Sequence, residues 1–504
     1  MTTLSSLVTP GNVLTAAGTQ SPTNKDLTGS GNTFPVLGGA TGFVASGAIG
    51  NGATVGINAD GTVSVVAGVT EGAGTPVVFE SASTTHIGST FDSTNNKVVI
   101  VYQDAGNSNY GTAIVGTVSG TTISFGTAVV FNAGSTQFPA ATFDSSNNKV
   151  VIAYQDNGNS NYGTAVVGTV SGTSISFGSE VVFDASTSSA ISATFDSTNN
   201  KVVIVYSDGN NSTHGTAIIG TVSGTSISFG TAVVFNAAGT DKTAVTFDSN
   251  SNKAVIAFRD VGNSYYLAAI VGTVSGTSIS FGSEIVFETS TFIDYISATF
   301  DSTSNKVVIA YNNTGNSNYG TAVVGTVSGT SISFGTPAVF ESAATTWISA
   351  AFDSSNNKIV IAYVDGGNSN YGTAVVGTVS GTSISFGTPA VFESAYTSWI
   401  NSIYDTNSNK TVIAYIDGGN SSFGTAAVFQ VGSTTAPTYI GLSTQAVSDT
   451  DAVTVTTVAG INESQTGLTP DTLYYVNDDG TLTATATNTY AGKAVSATEL
   501  LVKG

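Results

Sequence analysis

Two recurring positions in this chain combine aromatic rings with carboxylates and amides. The first, the variable column, reads His86, Phe138, Ala190, Lys242, Tyr295, Trp347 and Trp399, and it holds both tryptophans of the chain. The second, the acceptor column, lies just upstream and reads Glu80, Asn132, Asp184, Asn236, Glu288, Glu341 and Glu393. Ring faces can stack on the apolar face of a sugar, and the acceptors can take its hydroxyls. The pattern indicates carbohydrate binding, with packing of the rings between repeats, or in a channel mouth, as the alternative.

Eight residues from the two columns are our candidates for ligand binding. They are His86, Phe138, Tyr295, Trp347, Trp399, Glu288, Glu341 and Glu393. We assign no catalytic residue, no metal ligand and no cofactor. The chain has one arginine, Arg259, and two histidines, His86 and His214, which favours neither a sialidase-like site nor a hydrolytic triad. Paired acids for glycoside hydrolysis stay open as an alternative, because acids are plentiful at the varying positions.

A third column opens a turn of the form Asp-x-Gly-Asn-Ser. It reads Asp104, Asp156, Asp208, Asp260, Asn313, Asp365 and Asp417. Oxygen ligands of this kind could hold Ca²⁺. We favour the structural interpretation, in which each side chain accepts hydrogen bonds from nearby backbone N–H groups.

These columns belong to a unit of about 52 residues that is written seven times. Each copy carries an anchor, Phe or Tyr followed by Asp, and the anchors recur every 52 or 53 residues. The anchor rings are Phe91, Phe143, Phe195, Phe247, Phe300, Phe352 and Tyr404. Such a period means that each copy is one supersecondary unit, which buries its apolar face only against its neighbours.

Each copy predicts four antiparallel strands. The first ends in the anchor, the second is an apolar run such as KVVIVYSD, the third reads YGTAVVGTV, and the fourth reads SISFGSEVVF. Between the first two strands, the anchor Asp and a Lys five residues later can face each other as an exposed ion pair. We expect the acceptor and variable columns in loops that join the fourth strand to the next copy.

Seven four-stranded units predict an all-β fold, a seven-bladed β-propeller, with a solenoid as the alternative. The last copy stops after its third strand, and residues 61–81 resemble the missing fourth strand. Pairing of that N-terminal strand with the last copy would close a ring and remove exposed sheet edges. In the third strand of the last copy, Phe429 stands where the other copies have a glycine such as Gly116. This change is consistent with a different pairing partner where the ring would close.

Outside the repeats we expect two further segments. Residues 1–42 are rich in Ser, Thr, Gly and Asn and predict an extended N-terminal arm. The propeller is assigned to residues 43–432, with repeats from about residue 62. Residues 433–504 predict a small C-terminal β-domain with a hairpin turn at residues 477–480. Residues 44–57 are expected to add a strand to it.

Composition excludes several functional classes. The net charge is −20, and seven of the 12 Lys and Arg residues occupy one repeat position, so no basic patch exists for nucleic acid. Cysteine is absent, which excludes disulfides and thiol chemistry. No apolar run is long enough for a membrane span, and the N-terminus lacks the positive start of a secretory signal.

The repeat FDSxxNKVVIxYxDxGNSxYGTAxVGTVSGTxISFG resembles repeats in predicted structural proteins of marine tailed phages of the cyanophage type. Residues 45–68 and the C-terminal stretch from TYIGLSTQAVSDTDAVTVTTVAGI to AGKAVSATELLVKG resemble the same proteins. The resemblance covers about 460 residues. It implies a protein of the virion surface, a tail fibre or a capsid fibre, which is made in the host cytoplasm and needs no signal peptide.

Three functional hypotheses follow from the sequence. The first is a virion protein whose propeller binds host-surface glycan. The second is a passive structural or decoration protein, in which the arm and the C-terminal domain contact other virion proteins and the propeller is a spacer. The third is a polysaccharide-degrading enzyme. We expect a homo-oligomer, because sites on virions are symmetric.

Overall fold

The computed structural model describes residues 40–58, 61–66, 70–432, 439–457, 459–476, 480–486 and 489–502. These residues form an all-β fold of antiparallel strands. They belong to two compact units, one of Met1–Thr70 with Gly432–Gly504, and one of Glu71–Val431, which contains the repeats. The second unit, the repeat body, is described without a gap. In the described part of the chain, no helix has the length and apolarity needed to cross a bilayer.

The repeat body contains four kinds of strand. Six long strands are Val77–Asp92, Val129–Asp144, Val181–Asp196, Val233–Asp248, Ala338–Asp353 and Ala390–Asp405; in the fifth copy the equivalent is split into Ile285–Glu288 and Ile296–Asp301. The second strands are Lys97–Asp104, Lys149–Asp156, Lys201–Asp208, Lys253–Asp260, Lys306–Asn313, Lys358–Asp365 and Lys410–Asp417. The third strands are Tyr110–Ser119, Tyr162–Ser171, His214–Ser223, Tyr266–Ser275, Tyr319–Ser328, Tyr371–Ser380 and Phe423–Gln430. The short strands are Thr122–Phe125, Ser174–Phe177, Ser226–Phe229, Ser278–Phe281, Ser331–Phe334 and Ser383–Phe386.

Each long strand joins two consecutive copies. The first half of Val181–Asp196 pairs with the third strand Tyr162–Ser171, and its second half pairs with the second strand Lys201–Asp208. The expected loop between copies is therefore a continuous strand in six of the seven places. A register shift between Ser189 and Ser192 lets one strand serve both partners, because a β-bulge bends and twists the strand that carries it.

The apolar core lies between consecutive copies. The second strands are buried along nearly their whole length, as their apolar runs predicted. One cluster joins Ile204 and Tyr206 of the third copy to Val151 and Val167 of the second. Another joins Ile100 of the first copy to Val412 of the last. Burial of these side chains between copies is the main stabilising contribution expected in such a body.

The last third strand, Phe423–Gln430, pairs with residues from the beginning of the repeat body. Its partners are Gly72–Ala73 and the first part of Val77–Asp92. In an ordinary copy a glycine lies opposite a phenylalanine, as Gly116 lies opposite Phe125, whereas here Phe429 lies opposite Ala73. Both pairs therefore combine one large and one small side chain, and in each pair the large ring fills the space that the small residue leaves.

The turn after the anchor lacks the predicted ion pair between the anchor Asp and the Lys five residues later. Each anchor Asp lies opposite the expected Lys, as Asp196 lies opposite Lys201. The anchor carboxylates are buried, however, and in the repeat body they form no ion pair with these lysines. Asp196 instead accepts hydrogen bonds from the backbone N–H groups of Thr198 and Asn199, at 3.0 and 2.9 Å. The same two backbone bonds recur in all seven copies.

The described residues of the other unit form two five-stranded sheets. The first has the order Ala40–Val44, Ala452–Thr456, Tyr439–Ser443, Thr54–Ile57 and Val63–Val65. The second has the order Ile461–Asn462, Leu500–Val502, Tyr490–Ala494, Leu473–Val476 and Leu482–Thr483. Leu442 of the first sheet packs with Leu500 and Val502 of the second, and the buried Asn462 side chain donates to the carbonyl of Ser443 at 3.0 Å.

This unit changes the expected boundaries. Thr54–Ile57 pairs with Tyr439–Ser443, which confirms that this stretch adds a strand to the C-terminal part. Val63–Val65 also lies in that sheet, so the repeat body begins at Glu71 rather than at residue 43 or 62. Ala40–Val44 is a strand, although the predicted arm extended to residue 42. The rest of the arm, residues 1–39, and three residues of the predicted 477–480 turn lie outside the described residues.

Candidate functional site

Six of the seven variable-column residues lie at the bulges of the long strands, and Tyr295, in the copy whose long strand is split, directly precedes Ile296–Asp301. Five members of the column have backbone φ angles near +50°: His86, Phe138, Ala190, Trp347 and Trp399. This left-handed conformation is unusual for residues other than glycine, and for bulky side chains it is strained. A bulge re-aims the side chain that it carries, and bulges are common beside functional sites.

Five aromatic side chains of the variable column, four of them on bulges, form one continuous arc. Ring centroids are 5.2 Å apart for Phe138 and His86, and 4.1 Å apart for His86 and Trp399. Trp399 and Trp347 are 4.3 Å apart, and Trp347 and Tyr295 are 5.0 Å apart. We call these five residues the aromatic arc. All five ring-bearing candidates from the sequence are therefore brought together, although they are separated by more than 250 residues in the chain.

Two cavities adjoin the arc. A large cavity of about 740 Å³ is lined by the strand segments that follow the variable column in all seven copies. Serine, threonine and alanine dominate its wall, for example Ser89, Thr142 and Ser192. His86, Phe138 and Trp399 of the arc also line this cavity, so the arc borders it.

A smaller pocket of about 200 Å³ lies beside Ala190 and Lys242, the two residues of the variable column that have no aromatic ring. Its lining includes Ala190, Lys242, Tyr295 and Trp347, with Asp241 and Asp294 beside them. An aromatic wall and charged hydrogen-bonding groups thus face one space, which is the usual composition of a ligand pocket.

Charges at this pocket are arranged around Arg259. Its guanidinium donates to Asp241 through Nε at 2.7 Å, and to Asp294 through Nη1 at 3.0 Å. These carboxylates, with their hydrogen bonds, raise the pKa of Arg259 although its burial opposes the rise. Lys242 forms no ion pair or hydrogen bond with the described residues, so its ammonium group is available to a ligand.

His86 is a neutral ring within the arc. Burial lowers the pKa of its imidazole to about 4, because the charged form loses its hydration there. Its Nδ1 atom is buried and has no hydrogen-bond partner among the described residues. At neutral pH His86 therefore contributes an uncharged aromatic face between Phe138 and Trp399.

The three glutamates proposed from sequence are not part of the arc. Glu288, Glu341 and Glu393 line neither cavity. Each accepts a hydrogen bond from a buried tyrosine hydroxyl 22 or 23 residues later; the donors are Tyr311 at 3.1 Å, Tyr363 at 3.0 Å and Tyr415 at 2.9 Å. Burial raises the pKa of these tyrosines, and the neighbouring carboxylates raise it further. The bonds are structural, since they connect consecutive strands within the repeat body.

The Asp-x-Gly-Asn-Ser turns have the structural role that we favoured. All seven opening side chains accept from a backbone N–H two or three residues later, as Asp365 does from Gly367 at 2.8 Å. In four copies the turn is a short 3₁₀ helix, at Ala105–Asn107, Asn157–Asn159, Gly209–Asn211 and Thr314–Asn316. Within the described residues, no group of three or more His, Cys, Asp or Glu has an arrangement that could hold a metal ion.

Sequence reasoning missed one residue near the arc. Tyr396 is 52% exposed, and it lies near enough to Tyr295 to contribute to the rise in the pKa of Tyr295. Eight residues before the anchor, this position holds Tyr396 and Phe292, where other copies have residues such as Ala344 and Ser135. That departure from the repeat was the available signal.

Comparison with known proteins identifies the fold. No protein-family model and no curated protein matches the sequence. Among solved structures, BP39L lectin from Burkholderia pseudomallei matches with a TM-score of 0.51 and 12% identity, over 70% of this chain and 98% of that chain. The fold is propeller-like.

Two other matches are weaker. A protein of unknown function from Dyadobacter fermentans has a TM-score of 0.45 and 10% identity, over 71% of this chain and 98% of that chain. AofleA from Arthrobotrys oligospora has a TM-score of 0.39 and 10% identity, over 64% and 89% of the two chains.

Proposed function

We propose that the repeat body is a seven-bladed β-propeller closed by its N-terminal strand. Pairing of Gly72–Ala73 with the last third strand supports the closure. Two contacts between the first and last copies support it as well: His86 lies against Trp399, and the Ser89 hydroxyl donates to the Asn401 side chain at 2.6 Å. In this arrangement the large cavity is the central channel, and the aromatic arc covers part of its mouth.

The function that this site supports best is carbohydrate binding at the mouth of the channel. The observation that carries the proposal is the aromatic arc, which ends at an open pocket lined by Lys242, Asp241 and Asp294. Sugar rings would stack on the tryptophan and tyrosine faces, and the charged groups would bind hydroxyls. The bulges hold five column residues in strained backbone, which pre-organises the rings for a ligand.

The likeness to BP39L, which is named a lectin, makes sugars the first ligand class to test. At 12% identity that likeness concerns the fold, and the argument for sugar comes from the arc. Binding without cleavage is the activity we infer, since no pair of acids in the small pocket is free of Arg259.

A glycan array with three variants tests the proposal. We expect the parent protein to bind one glycan class, and Trp347→Ala or Trp399→Ala to weaken that binding at least tenfold. Tyr475→Ala is the matched control, because Tyr475 contacts Tyr490 in the other unit. A parent protein that binds no glycan, or tryptophan variants that bind as the parent does, would favour a passive spacer. Shortening of the bound polysaccharide during incubation would favour the enzyme instead.

We further propose that the protein is displayed on a tailed-phage virion. The support is the sequence resemblance, which covers residues 45–68, the repeats and the C-terminal part. Residues 1–42 and 433–504 are then the parts that contact other virion proteins, in a homo-oligomer. Mass spectrometry of purified particles, followed by antibody labelling in the electron microscope, tests this: we expect the repeat body at the particle surface. Absence of the chain from purified particles would contradict the proposal.

A further inference from the structure

The repeat departs from its usual pattern in three ways where the fourth copy meets the fifth, and the first of these concerns the long strand of the fifth copy. The spacing between anchors there is 53 residues instead of 52, and the extra residue falls in the segment between Ile285–Glu288 and Ile296–Asp301, which includes Phe292. The preceding copy has Tyr265 where the others have Asn, Thr or Ser. It also has Arg259, the one arginine of the chain.

These departures meet in one cluster. The Phe292 and Tyr265 rings are stacked, with centroids 4.7 Å apart and an interplanar angle of 28°. The Arg259 guanidinium lies 5.7 Å from the centroid of the Tyr265 ring. Phe292 is 59% exposed, the largest exposed fraction of any large apolar side chain described. One face of a flat ring pair is therefore presented to solvent.

The segment that carries Phe292 is fixed in place from both ends. Arg259 donates to the carbonyl of Ile293 at 2.8 Å, and the Asn312 side chain accepts from the backbone N–H of Tyr295 at 3.0 Å. Ile293 is fully buried in the core between copies. At the other end, Glu288 accepts from the N–H of Ser290 at 2.9 Å.

This geometry has a free-energy cost that local packing does not explain. Phe292 has left-handed backbone, with a φ of 62°, whereas the φ of 63° at Tyr265 belongs to the turn and a similar value recurs at this position in all seven copies. That conformation is strained for an aromatic residue, and exposure of the Phe292 ring to water forgoes its hydrophobic burial. A strained, rigidly held and exposed aromatic ring is the arrangement expected where a ligand covers it.

The cluster is continuous with the small pocket. Asp294 lines that pocket and follows Phe292 by two residues, so their Cα atoms are at most about 7.6 Å apart. Asp241 and Asp294, whose side chains are 40% and 56% exposed, lie along the way and are held by Arg259. They can accept hydrogen bonds from hydroxyls, and because Arg259 and Lys242 balance their charge, the pocket carries no net charge and suits a neutral sugar.

We propose that Phe292 and Tyr265 form a second sugar-binding platform, so that the ligand is a neutral oligosaccharide that extends from the mouth of the channel onto Phe292. This inference rests on the proposed carbohydrate function and deepens it. The mouth binds one end of the chain, the exposed carboxylates of Asp241 and Asp294 bind hydroxyls between, and the Phe292 face stacks on a later sugar. Arg259 is a positioning residue, which fixes both carboxylates and the Ile293 carbonyl.

The test compares short and long members of the neutral oligosaccharide series that the parent binds best on the array, with affinity measured by calorimetry. We expect Phe292→Ala to weaken the longest member about tenfold and to leave the shortest member unchanged. Phe292→Trp keeps a ring and should retain the affinity of the parent. Tyr265→Asn, which restores the residue of other copies, should weaken only the long members.

The outcomes separate this inference from the proposed function. If the parent binds glycan and Trp399→Ala weakens the binding, but Phe292→Ala leaves long and short members alike unchanged, the platform is wrong and the mouth site stands. An equal loss for the shortest member would also contradict the platform. If the parent binds no glycan, both proposals fail. Unchanged thermal unfolding of Phe292→Ala is the folding control, since its ring is exposed.

Discussion

In each long strand, the segment after the bulge runs from a residue that varies between copies to a residue that is the same in all seven. At one end is the anchor Asp, identical in seven copies, buried, and bonded to the same two backbone N–H groups each time. At the other end is the variable column, which differs in almost every copy and has left-handed backbone in five of them. The comparison teaches that the repeat keeps residues whose hydrogen bonds hold the fold. The residues that vary between copies are those of the variable column, where strained backbone directs the side chains toward one another.

Substitution of an anchor Asp should have the largest effect on the free energy of unfolding. Asp196 is fully buried, and its second oxygen also accepts from the Asn199 side chain at 2.8 Å. We expect Asp196→Ala to lower the free energy of unfolding by about 3 kcal/mol, because buried donors lose a charged acceptor. Asp196→Asn, which keeps one acceptor oxygen, should lose less. Denaturant unfolding measures both, and a stable Asp196→Ala protein would contradict the structural role of this end.

Changing pH should distinguish the variable end through His86. The unfolded histidine binds its proton near pH 6.5, whereas the folded one does so at about pH 4. Between these values the unfolded state binds more protons, so the free energy of unfolding falls as pH falls, by at most about 3 kcal/mol. Below pH 4 this contribution stays constant.

The control for this prediction comes from the next copy. His86→Phe introduces the residue that Phe138 already provides at the same position, so the arc should be kept. The difference between parent and variant isolates His86 from the other titrating groups. Identical pH dependence of unfolding in the two proteins would show that the imidazole is not buried within the arc.

The smallest expected effect concerns the strain itself. Ala190 has a φ of 49°, which costs an L-residue about 1–2 kcal/mol and costs glycine almost nothing. Ala190→Gly should therefore raise the free energy of unfolding by about 0.5–1 kcal/mol, after the added entropy of glycine in the unfolded chain is subtracted. Ala193→Gly, three residues later in the regular part of the strand, should lower it by a similar amount. Equal losses in both variants would mean that the column is not strained.

Much of the repeat body could be predicted from sequence, because its signals are local and written seven times. Apolar runs fixed the buried second strands, and the Asp columns indicated turn hydrogen bonds. The proximity of the column's rings to one another also followed, since equivalent residues of a repeat occupy equivalent places. The bulge at the variable column could not be predicted from the sequence. Hydrophobic periodicity indicates which face of a strand a residue lies on, but it does not indicate a left-handed φ angle.

The tyrosine partners of the acceptor column were not predicted, although the chain contains a regular spacing that relates the two positions. Six of the column's seven residues, including Asn132 and Asp184, have a tyrosine 22 or 23 residues later, and only Asn236 has a phenylalanine, Phe258, at that spacing. In the four copies with glutamate, the tyrosine hydroxyl donates to the carboxylate. The proposed Phe292 platform had three signals in the sequence, namely the 53-residue spacing, Tyr265 and Arg259, but the stacking of Phe292 on Tyr265 depends on tertiary contacts that no local pattern records.

The central claim is that ligand binds on the aromatic arc, and tryptophan fluorescence tests it directly. The chain has two tryptophans, and both belong to the arc, so tryptophan emission reports on this site alone. Titration with the glycan that the array identifies should change the emission in a saturable way, with the same midpoint as calorimetry. Heat of binding without any change in tryptophan emission would place the ligand elsewhere and contradict the account.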